Sequence, residues 1–364
     1  MDPVDPVDPV DAVDLVDTAH RPAAPDRPVF IVGCPRSGTT LLQLMLHAHP
    51  RIAIPPETRF VVQAYRARHQ FGVLSVEENR RGLANWIVKR PMFKDLGLDR
   101  DDVRRAVVAA PPTIGSAVGT VLAMYAARHG RVRWGDKRPD YWRDIDVVLR
   151  LFPDAQFIHI VRDGRACVAS LKRMRWWGGG VPAAIVVWLM AQRRCRRDTR
   201  HLPEGSFHEL RYEDLVSDPE AELRRLCVFL GEEFSPAMLA PHKVAEYAVP
   251  TWKTWHTRTA DAVDTATVES WREGLEPKEL ALVEFVAGRS LKANGYRLSG
   301  AGGRPSAGLL LRFARECVRR EGYLWKKRLR DRRMRRDERT SVAARLTSGQ
   351  QAAGTPTTKA AARR

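Results

Sequence analysis

The chain has no apolar run long enough to cross a bilayer. The longest, Val181 to Ala191, is short and carries Pro182 inside it, whereas a membrane-spanning helix needs about 20 apolar residues. Residues 1–26 have no apolar core of the kind that marks a secretory signal. Cysteine is scarce and scattered: Cys34, Cys167, Cys195, Cys227 and Cys317, an odd number with no C-x-x-C pair. That argues against a disulfide framework or a zinc ribbon and fits a reducing, cytoplasmic setting. Acidic side chains are outnumbered, 43 Asp and Glu against 61 Lys and Arg, for a formal charge of +18. Such a balance suits anionic partners, nucleic acid among them. No zinc-finger, RNP-like or helix-turn-helix signal supports nucleic acid here.

One expected residue is also missing from the most informative stretch. Val29 to Val32 is an apolar run that reads as a buried strand, Gly33 to Gly38 is a tight loop, and from Thr39 the apolar residues Leu42, Met45 and Leu46 fall at helical spacing. Strand, glycine-bounded loop and helix N-terminus form a phosphate cradle, because loop amides and the helix dipole favour an anion at one spot. The glycines have Walker A spacing, but Thr39 stands where a nucleotidase has the lysine that reaches the β- and γ-phosphates. The lone cation in the loop is Arg36. The cradle therefore suits a shorter anion than a triphosphate, and one that needs no metal.

The segment Pro35-Arg-Ser-Gly-Thr-Thr-Leu resembles the 5′-phosphosulfate loop of sulfotransferases that use 3′-phosphoadenosine 5′-phosphosulfate (PAPS), closest to the tyrosylprotein sulfotransferase branch and its bacterial relatives. Matching blocks extend from about Arg27 to Leu298. The resemblance implies that Pro35, Arg36, Ser37, Gly38, Thr39 and Thr40 bind the donor. It places the general base on Glu57, in Pro56-Glu-Thr-Arg59. A carboxylate there can take the proton that an acceptor hydroxyl loses as the sulfuryl group transfers; a glutamate favoured by a helix dipole is the plainer alternative. It also implies that Lys137, in Trp134-Gly-Asp-Lys137, neutralises the bridging oxygen of the leaving group, a charge that grows in the transition state.

A second strand–loop–helix follows. Phe157 to Val161 reads as a strand, and Arg162-Asp-Gly-Arg165 opens a helix that carries Ser170. This resembles the 3′-phosphate motif of the same superfamily, so Arg162 offers a planar fork of donors to a phosphate and Ser170 a hydroxyl, while Asp163 reads as a helix cap. Two phosphate motifs in one chain separate PAPS from ATP. The resemblance further implies that Tyr212, before Glu213-Asp214, and the pair Trp271-Arg272 contact the nucleotide; for both aromatics a packed core role stays open. A lysine found late in the nucleotide-covering loop of the tyrosylprotein enzymes is unmatched here, its place falling near Asp261. The segment Arg173 to Gly180, with Trp176-Trp177-Gly-Gly-Gly, reads either as a mobile cover over the site or as an anchored helix-end loop.

The remainder sets the boundaries. Residues 1–26 form an acidic leader built on Asp-Pro-Val repeats, expected to be disordered. Residues 27–298 form the sulfotransferase domain, with helices over 61–130 broken at Gly72, Pro91 and Pro111-Pro112 and a helix from Tyr141 to Leu151. Residues 299–339 are a basic helical extension in which Arg304 to Arg339 holds fourteen Lys and Arg against five Asp and Glu. Helical spacing of its apolar residues, interrupted at Glu321, suits a helix packed on the domain with a solvated basic face, or one lying on an anionic membrane. Residues 340–364 are expected to be disordered. The fold implied is α/β, a P-loop nucleotide-kinase-like parallel sheet flanked by helices in a single domain. The activity implied is sulfuryl transfer from PAPS, without a metal, to an acceptor hydroxyl or amine. A P-loop kinase or a non-catalytic basic binder is the alternative, and a homodimer stays open.

Overall fold

In the computed structural model of the chain the described residues are 26–248, 265, 267–301 and 303–352, with side chains described outside 246–248 and 336–352. The Asp-Pro-Val repeats and Asp261 lie outside these residues.

The core is a five-stranded sheet in the order β2-β3-β1-β4-β5, formed by β1 (Val29–Gly33), β2 (Ile52–Ala53), β3 (Arg133–Lys137), β4 (Gln156–Val161) and β5 (Phe207–Arg211). Every pairing is parallel, which requires both faces to be covered and explains the continuous apolar runs of β1 and β4. Alternation along β1 sorts its side chains. Phe30 and Val32 face the larger core, with Phe157, Val161, Leu122 and Trp188, while Val29 and Ile31 face the smaller one, with Ile158, Leu42, Met45 and Leu226. Phe30 anchors the larger core by stacking on Phe152 and meeting Trp134 and Tyr141 edge-on.

The strand order positions the site. From β1 the chain builds β3 and β2 on one side and β4 and β5 on the other, so the loops leaving β1 and β4 diverge at their carboxyl ends. In open parallel sheets that switch point is where ligands bind. The loops concerned, Cys34–Gly38 and Arg162–Asp163, are the two segments read in the sequence as phosphate motifs.

Around the sheet the helices follow the expected punctuation. Phe60–Ala67, Glu77–Val88, Arg100–Ala109 and Ile114–Arg128 are separate helices, with breaks at left-handed Gly72 and in the 3-10 turn that Pro91 opens. Two expectations are corrected. The helix read from Tyr141 to Leu151 is a 3-10 turn, Pro139–Arg143, followed by a helix, Ile145–Leu151. The break is Asp144, whose buried carboxylate accepts from Arg66 (2.7 Å) and Lys327 (2.5 Å). The basic extension is one helix, Ala307–Ala352, unbroken at Glu321. Glu321 is tolerated there because Arg193 and Arg194 of the helix Gly180–Thr199 pair with it. Leu324 is buried, and Leu310, Phe313 and Cys317 pack against the larger core.

Gly164, at the start of the helix Gly164–Lys172, shows how closely these layers meet. A Cβ there would lie 2.9 Å from the ring of Trp188, whose indole N–H donates to the Arg162 carbonyl at 2.9 Å. Gly164→Ala should therefore lower stability by about 1–3 kcal/mol through overpacking, read as a fall in the denaturant midpoint at unchanged m-value.

Candidate functional site at the carboxyl ends of β1, β3 and β4

The loop after β1 turns through two left-handed residues, Arg36 (φ 73°) and Gly38 (φ 96°), closed by the Ser37 N–H donating to the Cys34 carbonyl at 3.1 Å. The non-glycine left-handed residue is a strained conformation of the sort that persists where surroundings over-determine it. Gly38 has a second reason to be glycine: a Cβ would come within 2.4 Å of the Tyr212 ring. Tyr212 is buried behind the loop, its hydroxyl bonded to Thr267 Oγ1 at 2.7 Å and its face 4.3 Å from the Arg162 guanidinium.

Three cation- and hydroxyl-bearing groups converge on this loop. Arg36 Nε donates to Ser170 Oγ at 3.0 Å; Arg162 donates to the Arg36 carbonyl at 3.2 Å and to the Thr267 carbonyl at 2.7 Å. The two phosphate motifs thus adjoin. Ser37 Oγ and Arg162 Nε are buried and, among the described residues, have no hydrogen-bond partner, although buried polar atoms are nearly always satisfied. Burial first, and then the neighbouring Arg162 guanidinium, push Arg36 below the usual arginine range. Two guanidiniums side by side, with donors left over, fit the oxygens of an anionic ligand. The residues present are those a phosphosulfate and a 3′-phosphate would need. Thr39 is buried at the start of the loop helix Thr39–His47, and Pro35 is partly exposed.

The second half of the site rests on β3. Lys137 ends that strand with a side chain only 1% exposed, and its Nζ lies 2.9 Å from Glu57 Oε1 and 3.3 Å from Thr40 Oγ1. Glu57, Lys137 and the cradle are therefore brought together. Several residues that carry no chemical motif hold them. Gln43 and His47, one turn apart on the loop helix and so on one face, fasten the preceding segment: Gln43 donates to the Pro55 carbonyl at 3.0 Å, and His47 Nδ1 accepts the Ile54 N–H at 3.1 Å. Thr58 donates to buried Asp136 at 2.9 Å, and the Tyr141 hydroxyl donates to the same carboxylate oxygen. Arg59 is left-handed at φ 58°, so the turn carrying Glu57 is held from both ends against local backbone preference. Burial raises the Asp136 pKa, with the hydroxyl bonds from Tyr141 and Thr58 opposing it. The i,i+4 spacing of Gln43 and His47 was visible in the sequence; the Thr58–Asp136 link was not.

Other candidates take structural places. Asp163 caps its helix by accepting the Arg165 N–H at 2.8 Å, and Arg165 bridges Asp163 and Glu284, both at 2.7 Å. The Arg165 guanidinium covers Trp271 at 3.9 Å, and Trp271 is buried in the larger core; Arg272 is exposed and pairs with Glu269 at 2.8 Å. From this part of the chain Thr267 reaches Arg162 and Tyr212, a contact the sequence reading missed. Trp177 anchors its helix-end loop by donating to the Gly180 carbonyl at 3.0 Å, while Trp176 is exposed.

Residues 28–236 match the model of the sulfotransferase family. The chain belongs to that family. Among curated proteins it is 28% identical over 295 residues to nodulation protein NoeE of Sinorhizobium fredii, covering 74% of this chain and 66% of that protein. It is 28% identical over 224 residues to a protein-tyrosine sulfotransferase of Drosophila melanogaster, covering 58% of this chain and 39% of the fly protein. The matched region thus spans between about two fifths and two thirds of these relatives' own lengths. Among solved structures, the sulfotransferase domain of the Synechococcus PCC 7002 olefin synthase is 25% identical with a TM-score of 0.53, covering 77% of this chain and 98% of that domain. The P-loop-like parallel sheet read from the sequence is thus the fold of a sulfotransferase.

Burial drives the His47 imidazole down to about 3, with His129 and Arg131 adding to the effect. Between about 3 and 6.5 the unfolded chain binds a proton at this position that the folded chain does not, so stability rises with pH across that window and is complete above it. Urea midpoints measured from pH 4 to pH 7 should climb with a slope that His47→Gln reduces.

Proposed function

We propose that this sulfotransferase-family protein moves a sulfuryl group from PAPS to an acceptor hydroxyl, with Glu57 as general base. The observation that carries the reading is the pair between buried Lys137 and partly exposed Glu57, set beside Thr40 at the edge of the loop that carries Arg36 and a buried Ser37 hydroxyl with no partner among the described residues.

Each residue's task follows from its surroundings. Arg36, Ser37, Gly38, Thr39 and Thr40, with Pro35 shaping the turn, hold the 5′-phosphosulfate. Arg162 and Ser170 hold the 3′-phosphate, and Tyr212 supports Arg162 from behind. Lys137 supplies a fixed positive charge to the bridging oxygen as the sulfur–oxygen bond to the phosphate breaks. Glu57 accepts the acceptor's proton as the new sulfur–oxygen bond forms, so the products are adenosine 3′,5′-bisphosphate and a sulfate ester. A dry, preorganised cation of this kind lowers the barrier more than a solvated one. The sulfuryl group bears less charge than a γ-phosphoryl group, so Arg36 and Lys137 suffice without a metal. Trp271 and Arg272 stay assigned to the adenosine diphosphate moiety, with Arg165 over one face of Trp271 and Glu269 paired to Arg272. The five free cysteines, four of them buried, support placing the protein in a reducing cytoplasm. The fly relative is named a protein-tyrosine sulfotransferase, which makes a tyrosine-bearing peptide the first acceptor to try, ahead of sugars and small phenols.

Incubation with 35S-labelled PAPS and a host extract should put label on an acceptor, and adenosine 3′,5′-bisphosphate should raise the melting temperature. A shift with ATP and magnesium but not with the bisphosphate would instead make the protein a kinase. Glu57→Gln should keep bisphosphate affinity and lose about 10²–10⁴-fold in kcat; turnover within a few-fold of wild type would mean that another group takes the proton. Arg162→Ala should weaken bisphosphate binding by about 1.5–3 kcal/mol, as expected for a lost charge-assisted contact, measured by calorimetry.

A further inference from the structure

The helix Ala307–Ala352 is amphipathic twice over. Its inner face is committed to the domain: Leu324 is buried, Glu321 pairs with Arg193 and Arg194, Lys327 with Asp144, and Asp331 with Arg68 at 3.5 Å. Ion pairs and apolar contacts along this face leave the helix no freedom to roll. Its outer face nevertheless carries Leu311, Val318 and Trp325, which are 63%, 74% and 62% exposed. These residues stand two turns apart, so they form one stripe on the solvent side. Isolated exposed apolar residues are ordinary, but three large ones in register on a rigid helix are not. Arg312, Arg315 and Lys326 flank the stripe; they are exposed and, among the described residues, carry no ion pair.

We propose that this outer face is a docking surface for an anionic lipid bilayer, with Leu311, Val318 and Trp325 entering the headgroup boundary and the flanking cations meeting lipid phosphates. Apolar side chains bordered by unpaired cations are the pattern of an interfacial helix, and unpaired Arg and Lys near a membrane surface complement its negative potential. A tryptophan suits that depth, because its ring is apolar and its N–H can stay wet. Two other occupants fit less well. A second copy of this helix would need a second apolar position in each heptad, but the intervening places hold Ala314, Arg315, Glu321 and Gly322, and the arginines of the two copies would face one another. Nucleic acid would use the cations and leave the apolar stripe without a role. No described helix is long and apolar enough to cross a membrane, so the contact is peripheral. It is independent of the sulfuryl-transfer reading, since no residue of the stripe belongs to the donor site.

The full chain is tested by co-sedimentation with vesicles of phosphatidylcholine alone and vesicles containing about a third phosphatidylglycerol. Binding is expected to the anionic vesicles only and to weaken with salt. Leu311→Ser/Val318→Ser/Trp325→Ser should reduce it by at least about tenfold, as should Arg312→Glu/Arg315→Glu/Lys326→Glu, while circular dichroism and bisphosphate binding stay at wild-type values. Acyl-brominated lipid should quench a part of the tryptophan emission that Trp325→Phe removes. The proposal is overturned if wild type ignores the anionic vesicles, if it binds both vesicle types equally, or if the serine variant binds as well as wild type. It is also overturned if the serine variant merely dissolves a wild-type dimer, or if duplex DNA binding is lost in the glutamate variant and kept in the serine one.

Discussion

A lysine ammonium almost wholly withdrawn from solvent is costly to keep charged, and the cost is met only by a carboxylate at hydrogen-bond distance. In this protein the charge is Lys137 at the end of β3 and its partner is Glu57. The arrangement around them follows from that need. The strand order brings the end of β3 beside the loop of β1, Gln43 and His47 tie the segment before Glu57 to the loop helix, and Thr58 on Asp136 stops the turn after it from relaxing. A charge pair that would add little on the surface becomes, once enclosed, a position-determining contact between three separate parts of the chain.

The neighbouring cradle has the opposite electrostatic character. Among the described residues no carboxylate pairs with Arg36 or Arg162, and the buried Ser37 hydroxyl has no hydrogen-bond partner. Such an arrangement is tolerable in a folded protein when its backbone is otherwise well held, as here by the Gly38–Tyr212 contact and the Thr267 carbonyl. An incoming dianion removes a repulsion as well as forming new bonds, which gives binding energy at the place where charge must later be stabilised.

The sheet and both strand–loop–helix units were legible from the chain because they are local. The apolar run Val29 to Val32, the glycines at 33 and 38, and the repeat of strand, loop and helix at Phe157 to Ser170 each declare themselves within about twenty residues. The Asp163 cap was equally readable, and it caps where expected. What escaped was non-local. Nothing in the sequence shows that Thr58, far away along the chain, and Tyr141 close on Asp136. Thr267 looks like one of several threonines until its carbonyl meets Arg162. Trp271 took its nucleotide role from resemblance to the family's Trp-basic pair; that Arg165 covers its ring is a tertiary contact the sequence does not show. Glu321 looked like a helix interruption because its partners, Arg193 and Arg194, belong to another helix.

Asp144 has a consequence of its own. Its carboxylate is a shared fastening, gripped from one side by Arg66, on the helix that follows Glu57, and from the other by Lys327, on the basic helix. The C-terminal extension is therefore a strut rather than an appendage: stripping it away would leave Asp144, Asp198 and Arg194 short of counter-charges and uncover the seat of Leu324. Its inward side is bound to the same framework that holds the turn carrying Glu57.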